Sequence, residues 1–300
     1  MNNEKNSSFH IGNKIKDYLK LIKVSLSIMV VFSSVLSFLL VPGLDEKFVN
    51  PLQMVILLAI GGMLVTGSAN AINQAVEKNT DAVMKRTSNR PVAAGRMSVK
   101  EAWVFAIITG TLGVFMLGYF FNWTAASLAT LSLFLYAFIY TPLKKVSAIA
   151  VLMGALPGAL PCLIGWAAGD EKLGTGGWVL FALQFLWQFP HFWAIAWIAH
   201  KDYTVAGFKL LPAEKGPTKF TALQTVIYSL LLIPVGILPY LTGMSGLLSL
   251  IIVTGANLFM VALCVQLYRD MKVKSARRIM FGSYIYLPVV LLALLGDKLG

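Results

Sequence analysis

Acidic residues are scarce in this sequence, which has 13 Asp and Glu residues against 25 Lys and Arg residues. Charged residues of all kinds make up only 13% of the chain, about half the share that is usual in soluble domains. The hydrophobic fraction is 57%, and its residues come in long runs instead of stripes. A soluble globular class is therefore excluded, and we expect lipid to solvate most of the surface.

Cysteine is also rare, which limits the possible metal and redox chemistry. The two cysteines, Cys162 and Cys264, lie inside apolar runs and lack the spacing of a metal-ligand pair. We interpret both as small buried hydrophobic residues rather than a disulfide or a metal site.

Nine apolar runs are long enough to cross a bilayer as helices, which takes about 20 residues each. They cover residues 24–42, 51–72, 102–121, 124–142, 146–168, 177–198, 222–243, 246–267 and 279–296. The first run is too long for a signal-peptide core and lacks a cleavage site, so we expect it to be retained. Short alternating segments typical of a barrel are missing. The prediction is an all-α polytopic membrane protein of about nine transmembrane helices, with residues 1–300 as a single membrane-embedded domain.

Glycine pairs and prolines inside the runs predict kinks or close helix contacts, which suit a bundle around a cavity. These residues are Gly61, Gly62, Pro157, Pro161, Pro190 and Pro234.

Basic residues distribute unevenly between the two ends of the predicted bundle. If the polar segment 1–20 is cytoplasmic, 22 of the 25 lysines and arginines lie on that side, and only Lys47, Lys172 and Lys298 lie on the other. The positive-inside rule therefore favours a cytoplasmic N-terminus. The two longest polar segments, 73–100 and 199–221, then share the cytoplasmic face, where we expect the function to reside.

The first chemical motif is a ladder of oxygen-bearing side chains where the second run ends. Asn73, Glu77 and Asp81, which we call the acid ladder, are spaced by four and share one face of a continuous helix. Mg²⁺ prefers oxygen ligands and commonly joins one or two carboxylates to substrate phosphates. Basic side chains that could bind diphosphate follow at Lys85, Arg86 and Arg90. The alternative is that the acids are solvated helix-end residues and the bases only set topology.

The second motif is YTPLKK, which ends the fourth run. Tyr140 and Lys144 could contact phosphate. They could equally be an interfacial aromatic residue and a snorkelling lysine.

The third motif extends from Leu186 to Pro212. His191, with Gln188, is polar within an aromatic-rich apolar run, so it should face the bundle interior. It could be a site residue or a hydrogen-bonded packing residue. Lys201 and Asp202 follow at the cytoplasmic end, where they could bind diphosphate and metal respectively.

At these motifs the sequence resembles the UbiA superfamily of intramembrane prenyltransferases over residues 18–295. The acid ladder matches the signature N-x-x-x-D-x-x-x-D, with Glu77 in place of the first aspartate. Five further segments resemble the haem-farnesylating branch: MKRTSNRPVAAGRMS, YTPLKK, LPGALPCLIGWAAG, FLWQFPHFWAIAW and KDYTVAGFKLLP. The second acidic motif of the superfamily is reduced here to Asp202.

The resemblance implies nine helices around a central cavity, in a bacterial cytoplasmic membrane with the active site on the cytoplasmic side. It implies transfer of a farnesyl group from farnesyl diphosphate to a vinyl group of haem B, which gives haem O. Mg²⁺ would be the cofactor, held by Glu77, Asp81 and Asp202, with Asn73 and His191 also catalytic. Haem A synthase or oxidase assembly factors would be the protein partners, and no nucleic acid is expected.

Two other functions remain open from the residues. One is prenylation of a quinone precursor or another aromatic acceptor. The other is ion-coupled transport through Glu77 and Asp81, although transport sites usually lie at the membrane midplane rather than at one face.

Overall fold

Helices make up the regular structure of the protein, shown by a computed structural model that describes residues 2–213 and 216–299, with side chains from residue 12 onward. Lys215, one of the residues counted toward the cytoplasmic face, lies outside this part. The helices are α1 (Asn2–Leu21), α2 (Val24–Leu39), α3 (Leu44–Lys47), α4 (Pro51–Val76), α5 (Lys78–Val83), α6 (Val99–Phe120), α7 (Trp123–Phe134), α8 (Thr141–Leu143), α9 (Ala150–Asp170), α10 (Thr175–Ile198), α11 (His200–Val205), α12 (Lys219–Leu241), α13 (Leu247–Asp270) and α14 (Val273–Gly296). A π-helical turn, Leu135–Tyr140, joins α7 to α8. The described part contains no β-strand, so the all-α prediction is confirmed.

The predicted number of spans agrees with the structure, apart from the form of the first one. Eight helices of the described part are long and apolar enough to cross a membrane, or nine if the bent pair α1 and α2 counts as one span. α2 has only 16 residues and meets α1 at an angle of 50°. Residues 2–20 of the polar segment, predicted only as a cytoplasmic extension, are helical in the structure.

The spanning helices form a closed ring in chain order, because each packs on the next and α14 returns to α2. The two most extensive contacts that cross this ring are those of α2 with α9 and of α10 with α14. α2 packs on α9, which closes a five-helix lobe with α4, α6 and α7, and α10 packs on α14, which closes a four-helix lobe with α12 and α13.

Glycines allow the closest helix contacts in the five-helix lobe. A Cβ added at Gly165 of α9 would overlap the backbone oxygen of Ser34 in α2. A Cβ added at Gly113 of α6 would lie 2.9 Å from the oxygen of Gly61 in α4. Small residues of this kind allow membrane helices to associate through close backbone packing.

Lys298 links the two ends of the ring on the side opposite the acid ladder. Its Nζ donates to the backbone oxygens of Leu39 and Val41 at 3.0 and 2.7 Å, which caps the end of α2. Burial lowers the pKa of this ammonium, so the free carbonyls of α2 compensate part of its lost hydration.

We expect Gly165→Ala to destabilise the bundle by about 1–3 kcal/mol, because the added methyl group must push α2 away from α9. The measurement is thermal unfolding of the purified protein in detergent. Gly255→Ala in α13 is the matched control, since a Cβ there meets open space. Equal midpoints for the two variants would contradict the close contact.

Candidate active site

The acid ladder lies where α4 ends, and its three side chains are buried. Glu77 interrupts the helix with φ −90° and ψ 11°, so the three residues do not lie on one continuous helix. The hydrogen bonds of four-residue spacing nevertheless continue across the break, from Glu77 N to Asn73 O and from Asp81 N to Glu77 O. The ladder therefore keeps its four-residue spacing across the break. Exposed fractions are 2% for Asn73, 5% for Glu77 and 0% for Asp81.

Each ladder residue has a cationic partner. Arg90 donates from Nη1 to both carboxylate oxygens of Asp81 at 2.7 Å. Lys144 forms an ion pair with Glu77. Lys23 donates to Oδ1 of Asn73 at 3.0 Å. The burial of two carboxylates is possible because these cations compensate their charge.

The π-helical turn explains how Lys144 reaches the ladder. Pro142 lacks the N–H that would bond to the preceding turn. The backbone N–H of Thr141 instead bonds to the oxygen of Tyr136, five residues back, and π turns of this kind are frequent at functional sites. Lys144 is then only 6% exposed, and its Nζ lies 4.8 Å from the ring centroid of Tyr140. The snorkelling alternative for Lys144 is therefore wrong.

Lys23 is a site residue that the sequence reasoning missed, since it was counted only toward topology. It lies in the break between α1 and α2 with a left-handed φ of 49°. Gln74 donates to the backbone oxygens of Lys20 and Leu21, and Asn70 donates to that of Ile22. These amides satisfy the carbonyls that the break exposes. The sequence signal was the pair of amides, Asn70 and Gln74, which lie one turn apart on either side of Asn73.

The two long polar segments meet over the ladder. Nη2 of Arg86 donates to the hydroxyl of Tyr203 at 3.1 Å. The backbone N–H of Lys209 donates to the backbone oxygen of Lys144 at 2.7 Å. The ring centroid of Phe208 lies 5.2 Å from the Lys144 ammonium. The predicted convergence of the three motifs is thus present in the structure.

Three of the predicted site residues lie at the exposed edge of the site, here called the rim. Lys85 and Lys201 are exposed and Asp202 is partly exposed. In the described part no three His, Cys, Asp or Glu side chains are close enough to share a metal ion. The predicted role of Asp202 as a metal ligand with Glu77 and Asp81 stays a prediction.

His191 belongs to the four-helix lobe. Its Nδ1 lies 2.7 Å from Oγ of Ser283 in α14, and its ring stacks on Trp187 at 5.0 Å between centroids. Ser283 donates its only hydroxyl proton to the oxygen of Met280, so Oγ accepts from Nδ1–H. The free lone pair of the imidazole is then on Nε2. No contact among the described residues joins His191 to the acid ladder.

The acid ladder has the chemistry of a magnesium site. It offers two carboxylates and one amide oxygen, and Mg²⁺ usually takes only one or two carboxylates beside water and phosphate oxygens. One buried cation, Lys144, and two partly buried ones, Lys23 and Arg90, surround these oxygens and could contact a phosphate. A diphosphate bound together with one divalent metal ion fits this arrangement of donors.

Comparison with known proteins gives one consistent family. Residues 29–286 match the UbiA prenyltransferase family. The chain is 42% identical to the protoheme IX farnesyltransferase of Cytophaga hutchinsonii, over 96% of this chain and 100% of that one. It is 41% identical to the protoheme IX farnesyltransferase of Flavobacterium psychrophilum, over 96% of each chain.

Solved structures show the same fold at lower identity. A structure of digeranylgeranylglyceryl phosphate synthase superposes with a TM-score of 0.77 at 21% identity, covering 95% of this chain and 98% of that one. A UbiA homologue from Archaeoglobus fulgidus bound to GPP and Mg²⁺ gives 0.68 at 15% identity, covering 93% and 99%.

Removal of the Arg90 guanidinium should leave the buried Asp81 carboxylate without compensation. We expect Arg90→Ala to lower the free energy of unfolding by about 3–5 kcal/mol, measured by thermal unfolding in detergent. The double variant Arg90→Ala/Asp81→Asn should recover much of that loss, because the buried charge is gone. Lys85→Ala at the exposed rim is the control and should change stability by about 0.5 kcal/mol or less. A double variant as unstable as Arg90→Ala would contradict the pairing.

Proposed function

The chain belongs to the UbiA prenyltransferase family, and on that premise we propose that it is a protohaem IX farnesyltransferase. It transfers the farnesyl group of farnesyl diphosphate to a vinyl group of haem B, and the addition of water gives haem O. The observation that most strongly supports this activity is the match, along nearly the whole chain, to protoheme IX farnesyltransferases. The buried acid ladder with its cations supports a diphosphate as one substrate.

We propose that the reaction depends on Mg²⁺, held by Glu77 and Asp81 with help from Asn73. Its part is to supply positive charge to the leaving diphosphate. The structure of the Archaeoglobus homologue with GPP and Mg²⁺ supports this cofactor. We propose that Asp202, which is partly exposed at the edge of the site, would be a further oxygen ligand of the metal ion that accompanies the diphosphate.

The cations of the site would stabilise the charge that develops when the allylic C–O bond of farnesyl diphosphate breaks. Arg90 and Lys144, already paired with carboxylates, can extend their remaining N–H donors to phosphate oxygens. Arg86, which bonds to Tyr203, could close over the same group. The rings of Tyr140 and Phe208 lie next to Lys144. They could face the allylic cation and keep water from it.

His191 would act on the haem side of the reaction. The vinyl group attacks the allylic carbon, and the porphyrin-side cation that results takes up water and loses a proton. Nε2 of His191 has a free lone pair and could accept that proton or orient the water. We propose this role in preference to ligation of the haem iron, since axial ligation would put the reacting vinyl group at the porphyrin edge far from the imidazole.

We also propose a bacterial cytoplasmic membrane as the location, with the N-terminus and the active site on the cytoplasmic side. The uneven distribution of basic residues supports this orientation.

Expression of the chain in a bacterial host that lacks haem O should cause haem O to accumulate in the membranes. Asp81→Asn should abolish that product, because loss of a metal contact at the transition state costs about a thousandfold or more in rate. The measurement is extraction of membrane pigments followed by chromatography and mass determination.

Lys100→Ala, on the exposed first turn of α6, is the control and should retain haem O production. Membranes that contain the folded protein and a prenylated aromatic acid, but no haem O, would contradict the proposed acceptor. Full activity of Asp81→Asn would contradict the role of the acid ladder.

His191→Ala should lose haem O production while haem B still co-purifies with an unchanged visible spectrum. Ser283→Ala should weaken activity less, because the imidazole remains but the hydrogen bond that orients it is lost. A shifted or missing Soret band in His191→Ala would instead indicate ligation of the iron, and full activity would leave His191 as a packing residue.

A further inference from the structure

The adjoining ends of α13 and α14 carry a dense basic segment, residues 269–278. It contains a single acid, Asp270, and five basic residues, which are Arg269, Lys272, Lys274, Arg277 and Arg278. Both carboxylate oxygens of Asp270 are occupied locally, since they accept from the backbone N–H of Lys272 at 2.9 Å and from the hydroxyl of Ser275 at 2.6 Å. None of the ion pairs in the described part of the chain involves the five basic residues. The basic segment therefore has positive charge available for an anionic ligand.

Arg277 differs from the other members of the basic segment in its direction. It is exposed and precedes Tyr284 by seven residues of α14, so the two side chains lie within about 20° of each other around the helix. They are separated by about 10 Å along its axis. Arg278 is turned by about 100° from Arg277, and its charge acts on the Asp270 carboxylate of α13. Arg277 is thus the basic residue that shares a face of α14 with Tyr284.

Tyr284 lies next to the imidazole to which we assign the haem side of the reaction. Its ring stands edge-on to that of His191 at 5.1 Å between centroids, and 46% of the residue is exposed. Trp187 stacks on the same imidazole and donates from Nε1 to the backbone oxygen of Ser283 at 3.1 Å, which fixes α10 against α14. An open aromatic ring in this position can pack against a porphyrin.

The polarity of haem B decides how it lies against this face of α14. Its two propionates are at the edge of the porphyrin opposite the vinyl groups. Carboxyl groups of this kind have a pKa of about 4, so the propionates are ionised at neutral pH. With the reacting vinyl group at His191, the anionic edge lies about one porphyrin width away from the imidazole.

The basic segment is the better match for that anionic edge than the opposite end of the bundle. At the opposite end Lys47 is paired with Asp170, and Lys298 donates to the backbone oxygens that end α2. The two turns of α14 from Tyr284 to Arg277, in contrast, span a distance comparable to the width of a porphyrin and end at an exposed guanidinium.

We infer that Arg277 binds the propionates of haem B, with Tyr284 against the porphyrin, so that the vinyl edge lies at His191. The inference rests on the proposed function, since it takes haem B as the acceptor. Arginine suits this role because its planar guanidinium binds a carboxylate through two parallel hydrogen bonds. Its long apolar stem also lets the charge stay in water while the porphyrin lies among apolar side chains.

Haem B and its dimethyl ester together test the contact, because esterification removes the propionate charges and leaves the porphyrin unchanged. The affinity of the full-length protein in detergent for the ferric form of each would be measured by quenching of tryptophan fluorescence. We expect Arg277→Gln to bind haem B about tenfold or more weakly, since a charge-assisted contact is lost, and to bind the ester as the unchanged protein does. Equal weakening of both ligands, or an unchanged affinity for haem B, would overturn the inference.

Arg278→Gln is the matched control, because it removes the same charge from the neighbouring position. It should leave the affinity for haem B unchanged, since this side chain is turned toward Asp270. An equal loss of affinity in the two variants would show a general attraction of the basic segment for anions and would overturn the assignment to Arg277.

Reversal of the charge provides a second test of the pairing. Arg277→Glu should weaken the binding of haem B more than Arg277→Gln does, because like charges repel, and Arg277→Lys should recover part of the affinity. Neither substitution should change the affinity for the ester. A glutamate variant that binds haem B as well as the glutamine variant does would contradict the ion pair.

Tyr284→Ala tests the position of the porphyrin. It should weaken the binding of haem B and of the ester by the same factor, about two- to tenfold, because the ring contacts the uncharged macrocycle. Ile285→Ala, exposed at the next position and turned by about 100°, is the control and should bind both ligands normally. A loss confined to haem B would contradict the contact of this ring with the macrocycle.

Pigment analysis separates failure of this inference from failure of the proposed function. Haem O production by a protein whose affinity for haem B does not depend on Arg277 would overturn only this orientation of the haem. Binding of haem B that depends on Arg277, in a protein that makes no haem O, would overturn the proposed reaction and leave the haem site standing.

Discussion

The ion pair between Asp81 and Arg90 is the interaction on which the rest of the site depends. Asp81 has no exposed surface, and the burial of a carboxylate needs a paired cation to offset its lost hydration. Because only nine positions separate the two residues, the chain must turn back after α5, and Thr87 stabilises this turn with a bond to the Asp81 carbonyl. The same turn brings Arg96 to Asp17 of α1 at 3.0 Å. The turn formed by the Asp81–Arg90 ion pair thus also helps to position the N-terminal helix, α1.

Three interruptions of helical geometry direct side chains to the same point. They occur between α1 and α2, at Glu77 after α4, and in the π-helical turn before α8. Each interruption would expose backbone carbonyls or amides, and each is compensated locally by an amide side chain, a shared cap or a wider turn. Departures from regular structure that are fully compensated in this way are expected at functional sites rather than at random positions.

The sequence predicted the features that depend on local information. Run length and charge placement predicted the spans, and the four-residue spacing of the ladder predicted its shared direction. The break at Glu77 was not predicted, although Asn79, Thr80 and Asp81 directly after it are poor helix formers that favour caps and turns. Lys23 was missed because its partner Asn73 lies 50 positions away. The fixed tautomer of His191 depends on Ser283, 92 positions away, and long-range contacts of this kind have no signature in one sequence.

The division of the ring into two lobes separates the two chemical tasks that we propose. The charge of the diphosphate would be stabilised in the five-helix lobe, which carries the acid ladder, Lys23 and Lys144. The proton would be accepted in the four-helix lobe, where His191 of α10 is held by its hydrogen bond to Ser283 of α14. The allylic cation must be formed beside the diphosphate but captured by the vinyl group of a much larger substrate. Two sites held by separate lobes can each be rigid, as preorganised catalysis requires.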